Sequence, residues 1–251
     1  MPQDFVAAAI LKSVKALPGY PKLNVLDLSC GRGEILSALA KAGCTVHGTH
    51  YRSDDYKLAD MSLPRFLDGL QVDEGVDLSK PLPYPDASYD LVILSEVVEH
   101  LPNYITVVHE SGRVLRKGGH LVLTTPNISR LHSRFHFFFS GAHKLIRRRV
   151  GWDLSADQLY AYHINPVDFP LLHTLLYQAG LRILRLGFTR FKAEHAWLMI
   201  FYPLYWLSAK LETSKRIENA VHGEGERDLF RWMVAPAMLA SEQLLIVARK
   251  E

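Results

Sequence analysis

Cysteine is scarce in this chain: Cys30 and Cys44 are the only two in 251 residues, and neither stands in a C-x-x-C pair. That argues against a disulfide framework and against a zinc site, and leaves two reduced thiols as expected in the cytoplasm. Long apolar runs are missing too. The longest, residues 196–209, is interrupted by Pro203 and falls short of the roughly 20 residues a spanning helix needs. The first residues, M-P-Q-D-F-V, carry an acid and no positive charge before a short apolar stretch, the reverse of a secretory leader. Nor is there a strong excess of one charge. A net +3 lacks the clustered basic surplus expected of a nucleic-acid binder, so such a partner is not expected. Repeats and low-complexity tracts are absent.

What is present is alternation. Short apolar strands are expected at Asn24–Ser29, Thr45–Thr49, Leu70–Val76, Asp90–Ser95, Gly119–Thr124, Leu181–Leu186 and Gln243–Ala248. Helical stretches separate them: Glu34–Ala42, a helix running through Val114, and Phe169–Gly180. An amphipathic helix carrying Phe5, Ala9, Val14 and Leu17 precedes them, ended by Pro18-Gly19. This pattern predicts an α/β, doubly wound, mostly parallel seven-stranded sheet with helices on both faces. The last strand returns after a long connection and is expected antiparallel at the sheet edge. Residues 1–251 read as one domain, with a partly helical cap inserted at about 128–162 and 188–240.

The ligand is sought at the carboxyl end of the first strand, in L26-D-L-S-C-G-R-G33. A dinucleotide loop, G-x-G-x-x-G/A, puts a third small residue in the helix and a pyrophosphate at its start. Here Leu36 takes the third position, and Glu34 and Asp27 bring negative charge where a pyrophosphate would sit. Two acids at such a turn suit a cationic, phosphate-free ligand. They count against a nucleotide-dependent oxidoreductase.

V-L-D-L-S-C-G-R-G-E resembles the first motif of class I S-adenosylmethionine-dependent methyltransferases. V76-D-L-S-K-P-L-P-Y-P-D-A-S-Y-D-L-V-I-L-S-E-V-V-E-H-L101 is similar to the corresponding stretch of the ubiquinone-biosynthesis-like subgroup (methyltransferase type 11/23-like). E110-S-G-R-V-L-R-K-G-G-H-L-V-L-T-T-P-N, H163-I-N-P-V-D-F and Y177-Q-A-G-L-R-I follow in order, so the resemblance covers about 22–187. It implies a Rossmann-like methyltransferase fold and S-adenosyl-L-methionine as cofactor. It also implies roles. Asp27 and the backbone of Ser29, Gly31 and Gly33 would line the methionine part, Asp77 and Leu78 the adenine. Ser95 and Glu96 would lie beneath the methionine, with Val97 and His100 facing the reacting centre. The sequence departs from the pattern at His50, where the family places an acid for the ribose hydroxyls. A neutral imidazole accepts one hydroxyl, not two, and Asp54 or Asp55 is the alternative acceptor.

Methyl transfer to a hydroxyl also needs a base with a pKa near neutrality. His100 is the first candidate and His163 the second; for each the alternative is a packing or structural histidine. Glu96, Glu99 and His100 are expected on one helical side, yet E-V-V-E-H lacks a second nearby histidine, so no metal is expected. An oxygen on a small-molecule or lipid-linked acceptor is expected to take the methyl group. An RNA-directed enzyme, or a degenerate fold serving as a scaffold, is the alternative. Residues 130–149 hold six Lys/Arg and no acid, with Leu131, Phe135 and Phe138 or Phe139 on one helical face; 196–206 read A-W-L-M-I-F-Y-P-L-Y-W. Both segments suit either a lid or peripheral contact with the inner face of a membrane.

Overall fold

The computed structural model describes residues 4–50, 66–143, 163–191, 193–219 and 223–251. Among the described residues seven strands, β1 (Asn24–Leu28), β2 (Thr45–His50), β3 (Gln71–Glu74), β4 (Tyr89–Ser95), β5 (Leu115–Pro126), β6 (Leu181–Phe188) and β7 (Gln243–Lys250), form one sheet. Their order is β3-β2-β1-β4-β5-β7-β6. β3, β2, β1, β4 and β5 are parallel neighbours, and β7 runs antiparallel to both β5 and β6.

Alternation along each strand sends side chains to opposite faces. Val25, Leu91, Ile93 and Val122 pack with Val6, Ile10 and Val14 of α1 (Asp4–Lys15) and with Ile35 and Leu39 of α2 (Glu34–Ala42). Leu26, Leu28, Val92 and Leu94 pack with Val107 and Val108 of α3 (Ile105–Val114) and with Leu172 and Leu176 of α5 (Phe169–Gln178). Cores on both faces are what nearly continuous apolar strands require. Truncating Leu94, which is fully buried, to Ala would cost about 2–5 kcal/mol.

Two expectations need correction. β7 is not at the edge: it lies between β5 and β6. Its Leu244–Ala248 run is wholly buried, whereas β6 bears Arg182 and Arg185 and an exposed Leu184, the charged character of an edge strand. On α1 the inward stripe is Val6, Ile10 and Val14, with Phe5 and Ala9 only half-buried.

The chain between β5 and β6 begins with α4 (Leu131–Ser140), and that between β6 and β7 folds into a 3-10 stretch (Ala193–Phe201), α6 (Tyr202–Asn219), α7 (Gly223–Met233) and α8 (Pro236–Ala240). Leu131, Leu198 and Leu239 from three of these form a small apolar cluster of their own, with Phe135, Met199, Tyr202 and Tyr205 against it.

Candidate active site

β1 carries Asp27 to the top of the sheet, where it is 1% exposed. Burial raises its carboxyl to about 7, and its Oδ1 has no hydrogen-bond partner among the described residues. Beyond Leu28 the chain turns sharply. Ser29 and Gly31 have φ of 67° and 56°, and Gly33, at 80°, caps α2. The turn is fastened to β2: the Ser29 N–H donates to Thr49 Oγ1 at 2.9 Å and the Cys30 N–H to the Thr49 carbonyl at 3.0 Å. A Cβ on Gly33 would run into the Leu67 side chain, so glycine is needed here for space as well as for φ.

Leu36, which a dinucleotide loop would replace by a small residue, is fully buried. A Cβ on Gly48 of β2 would meet Leu36 Cδ2 at 2.8 Å. The small residue that allows helix and strand to close up thus sits on the second strand, not in the helix.

β1 and β4 pair with Leu28 opposite Leu94, so Ser29 and Ser95 leave the sheet side by side. Glu96 follows with φ 54°. It is therefore a strained strand-end residue and not part of a helix, which corrects the expectation of one helical side; only Val98–His100 form a 3-10 turn. The Glu96 N–H donates to the Thr124 carbonyl at 3.0 Å, with Thr124 Oγ1 at 3.2 Å. Desolvation raises the Glu96 carboxyl to about 7, and its Oε1 has no hydrogen-bond partner among the described residues.

Glu99 is 1% exposed. Its Oε2 accepts from Thr125 Oγ1 at 3.0 Å, and burial, then the Glu96 charge, hold its pKa well above the ordinary carboxyl value. The Asn165 N–H donates to the Glu99 carbonyl at 3.0 Å and its Nδ2 to the Leu101 carbonyl at 3.1 Å. These bonds lay the 163–167 segment on the 3-10 turn and bring His163 against His100, ring centroids 4.9 Å apart. One potential ligand atom from each of Glu99, His100 and His163 lies within 4.8 Å of the others. The second histidine that E-V-V-E-H lacks in sequence is supplied by the fold.

Other expected residues are placed less simply. Asp77 spends its oxygens locally: Ser79 donates through N–H at 3.0 Å and through Oγ at 2.6 Å, and Lys80 Nζ is 3.2 Å away. These contacts, the Ser79 hydroxyl first, lower its pKa. Leu78 is buried in the main core, as is Val97. His50 is the last residue of β2, half-buried, and its carbonyl accepts the Gly75 N–H at 2.8 Å. Asp54 and Asp55, like Arg147, Arg148 and Arg149, lie outside the described residues. Residues that sequence reasoning missed are Thr124, Thr125 and Asn165, which hold the two glutamates and His163. T-T-P-N reads as a strand end, and only the β4–β5 register, Ser95 opposite Thr124, shows what those hydroxyls touch.

A glycine turn opening a helix at the carboxyl end of a parallel sheet, with buried acids around it, is a Rossmann-like site that suits a cationic ligand without phosphates. The family model for the methyltransferase domain matches residues 3–186. The chain belongs to that family, the methyltransferase domain of class I S-adenosylmethionine-dependent type. The ubiquinone biosynthesis O-methyltransferase of Photorhabdus laumondii is 33% identical over 105 residues, 41% of this chain and 43% of that protein. The 27-O-demethylrifamycin SV methyltransferase of Amycolatopsis mediterranei is 37% identical over 102 residues, 40% and 37% of the two chains. The aligned stretch thus spans under half the length of these curated relatives. In fold, a SAM-dependent methyltransferase from Archaeoglobus fulgidus superposes with TM-score 0.57 at 19% identity, covering 99% of this chain and 94% of its own. One from Mesorhizobium loti gives 0.53 at 17%, covering 98% of each.

Proposed function

We propose that this protein transfers the methyl group of S-adenosylmethionine to a hydroxyl oxygen of a small-molecule or lipid-linked acceptor. The observation that carries the reading is the pairing of His100 with His163 over the buried Glu99, beside the strand ends that hold the cofactor acids. The oxygen-directed names of both curated relatives support it.

Asp27 and Glu96 would meet the cationic methionine portion, with the turn backbone at Ser29, Gly31 and Gly33, and Ser95 beside it. Asp77 and Leu78 would flank the adenine. Asp27 and Glu96 fit such a group, since each keeps a buried carboxyl oxygen without a partner among the described residues. The cofactor, when bound, supplies a sulfonium-activated methyl group. The chain's own work is to align the acceptor, a contribution on the order of 7–11 kcal/mol, and to take the hydroxyl proton. His100 is the base, and His163 orients it.

A second reading is favoured by the same cluster. Glu99, His100 and His163 offer one carboxylate and two imidazoles, a donor set for a divalent cation. Such a cation would polarise the acceptor oxygen and lower its pKa.

Peripheral membrane contact through 130–149 and 196–206 belongs to the proposal, supported by the exposure of Phe138, Phe139 and Ile200. The test of the function is product mass analysis after incubation of the protein with labelled S-adenosylmethionine and a lipid and metabolite extract. Label on an oxygen is expected; label on nitrogen or carbon, or none while the cofactor still binds, would overturn it.

A further inference from the structure

β2 and β3 pair so that His50 and Glu74 are partners at the last rung of both strands. Partners on adjacent strands point to the same face, with the strands about 4.8 Å apart. The opposite face of this pair carries His47, Thr49 and Asp73. There His47 Nε2 lies 2.9 Å from Asp73 Oδ2, which also accepts the Tyr84 hydroxyl at 2.9 Å, and Thr49 Oγ1 holds the Ser29 N–H. The His50–Glu74 face continues Gly48, over which Leu36 of α2 and Cys30 of the glycine turn are packed. Gly75 follows with φ 76°. The chain therefore leaves the sheet directly after Glu74, at the carboxyl edge where ligands of such sheets bind, and continues to Asp77.

We infer that Glu74, reaching across from β3 beside His50, is the carboxylate that accepts the ribose hydroxyls of S-adenosylmethionine in this protein. An ionised carboxylate offers two oxygens and takes both hydroxyls, whereas a neutral imidazole takes one. Glu74 stands between the strand end expected to serve the ribose and Asp77, expected to serve the adenine. Its exposure is that of a rim residue a ligand would cover. The role has moved one strand outward, and His50 becomes the neighbour of the ribose acid instead of its substitute. This inference rests on the cofactor reading above.

The test is calorimetric titration with S-adenosylhomocysteine and with its 2′,3′-dideoxy analogue. Glu74→Ala is expected to weaken S-adenosylhomocysteine by about 10- to 100-fold, the loss of a hydrogen bond to a charged group, and to leave the analogue's affinity at the wild-type value. Glu74→Gln should fall between, with a wild-type melting curve for both variants. Equal affinity of Glu74→Ala and wild type, an equal loss for both ligands, or a selective loss in Asp54→Ala or Asp55→Ala instead would overturn the inference. Wild type that binds no S-adenosylhomocysteine would overturn the cofactor reading itself, a distinguishable result.

Discussion

His100 and His163 meet edge to face, centroids 4.9 Å apart and ring planes at 79°, because Asn165 pins the second to the turn that carries the first. If His100 takes the acceptor's proton, His100→Ala should lower kcat by about 10²- to 10⁴-fold while S-adenosylhomocysteine binds as in wild type. The rate of the wild type should then survive dialysis against a chelator. If the cluster instead holds a divalent cation, the chelator abolishes turnover, and Glu99→Ala and His163→Ala lose bound metal by elemental analysis. Steady-state kinetics with and without chelator separates the two.

Asp27 should make cofactor binding pH-dependent. Its carboxyl is raised by burial from 3.8 to about 7, so the folded protein without cofactor holds a proton there that the unfolded chain has lost. The stability linked to it is complete below pH 3.8 and disappears as pH rises through 7. An ammonium group favours the ionised form. Affinity for S-adenosylhomocysteine should therefore rise from pH 6 to pH 8, with proton release on binding at the lower pH. Calorimetry in buffers of different ionisation heat reads this directly. Asp27→Asn should weaken binding at pH 8 and flatten the dependence; a wild-type slope in that variant would remove Asp27 from the cofactor site.

Arg113 ties the loop before β4 to α3. Its guanidinium donates to the carbonyls of Tyr84 and Leu82 at 2.8 and 3.0 Å, and pairs with Glu110 and Asp86. Glu110 in turn accepts the Leu82 N–H at 2.7 Å. Arg113→Ala should cost about 2–3 kcal/mol and lower the melting temperature by about 5–10 °C. Arg113→Lys should restore little, since an ammonium lacks the planar fork; full recovery on calorimetric scanning would show that charge alone matters.

The strands were legible in the sequence because a sheet buried on both faces writes itself as apolar runs between helices. β3, only four residues long and reading Q-V-D-E, is the exception: half-exposed at its edge of the sheet, it leaves little signal in the sequence. The rank of β7 was not legible: a long connection says nothing about which neighbour a strand will join. Asp27 and the glycines stand in one contiguous motif, so their place at the end of β1 and in the turn into α2 could be read directly. Thr125 beside Glu99, Asn165 beneath His163 and Glu74 beside His50 arise from register and long-range packing, which no local pattern encodes. Gly48 is intermediate. Its smallness is visible, but its partner Leu36 is found only when helix and strand are brought together.

The exposed apolar surface around α4 and α6 carries the last prediction. Phe138 and Phe139 are 81% and 79% exposed, Ile200 77% and Leu204 67%. They belong to one neighbourhood: Phe135, one turn before Phe138 on α4, lies 5.1 Å from Phe201 and 6.4 Å from Trp197 by ring centroids, and Arg134 stacks over Tyr205 of α6. On α6, Leu204, Leu207 and Leu211 recur at helical spacing and are all exposed. The other side faces inward, with Trp206 against Phe230 and the Tyr205 hydroxyl donating to the Met233 carbonyl. If the proposed membrane contact is right, this patch is the surface that docks, and the acid-free, basic sequence of 130–149 suits anionic lipid. Wild type should pellet with phosphatidylglycerol vesicles, less so at high salt and less with neutral vesicles. The variant Phe138→Ser/Phe139→Ser/Ile200→Ser/Leu204→Ser should stay in the supernatant while binding S-adenosylhomocysteine normally. Equal pelleting of both proteins would rule out this contact. A wild-type dimer that the same substitutions convert to monomer would assign the patch to a second copy of the chain.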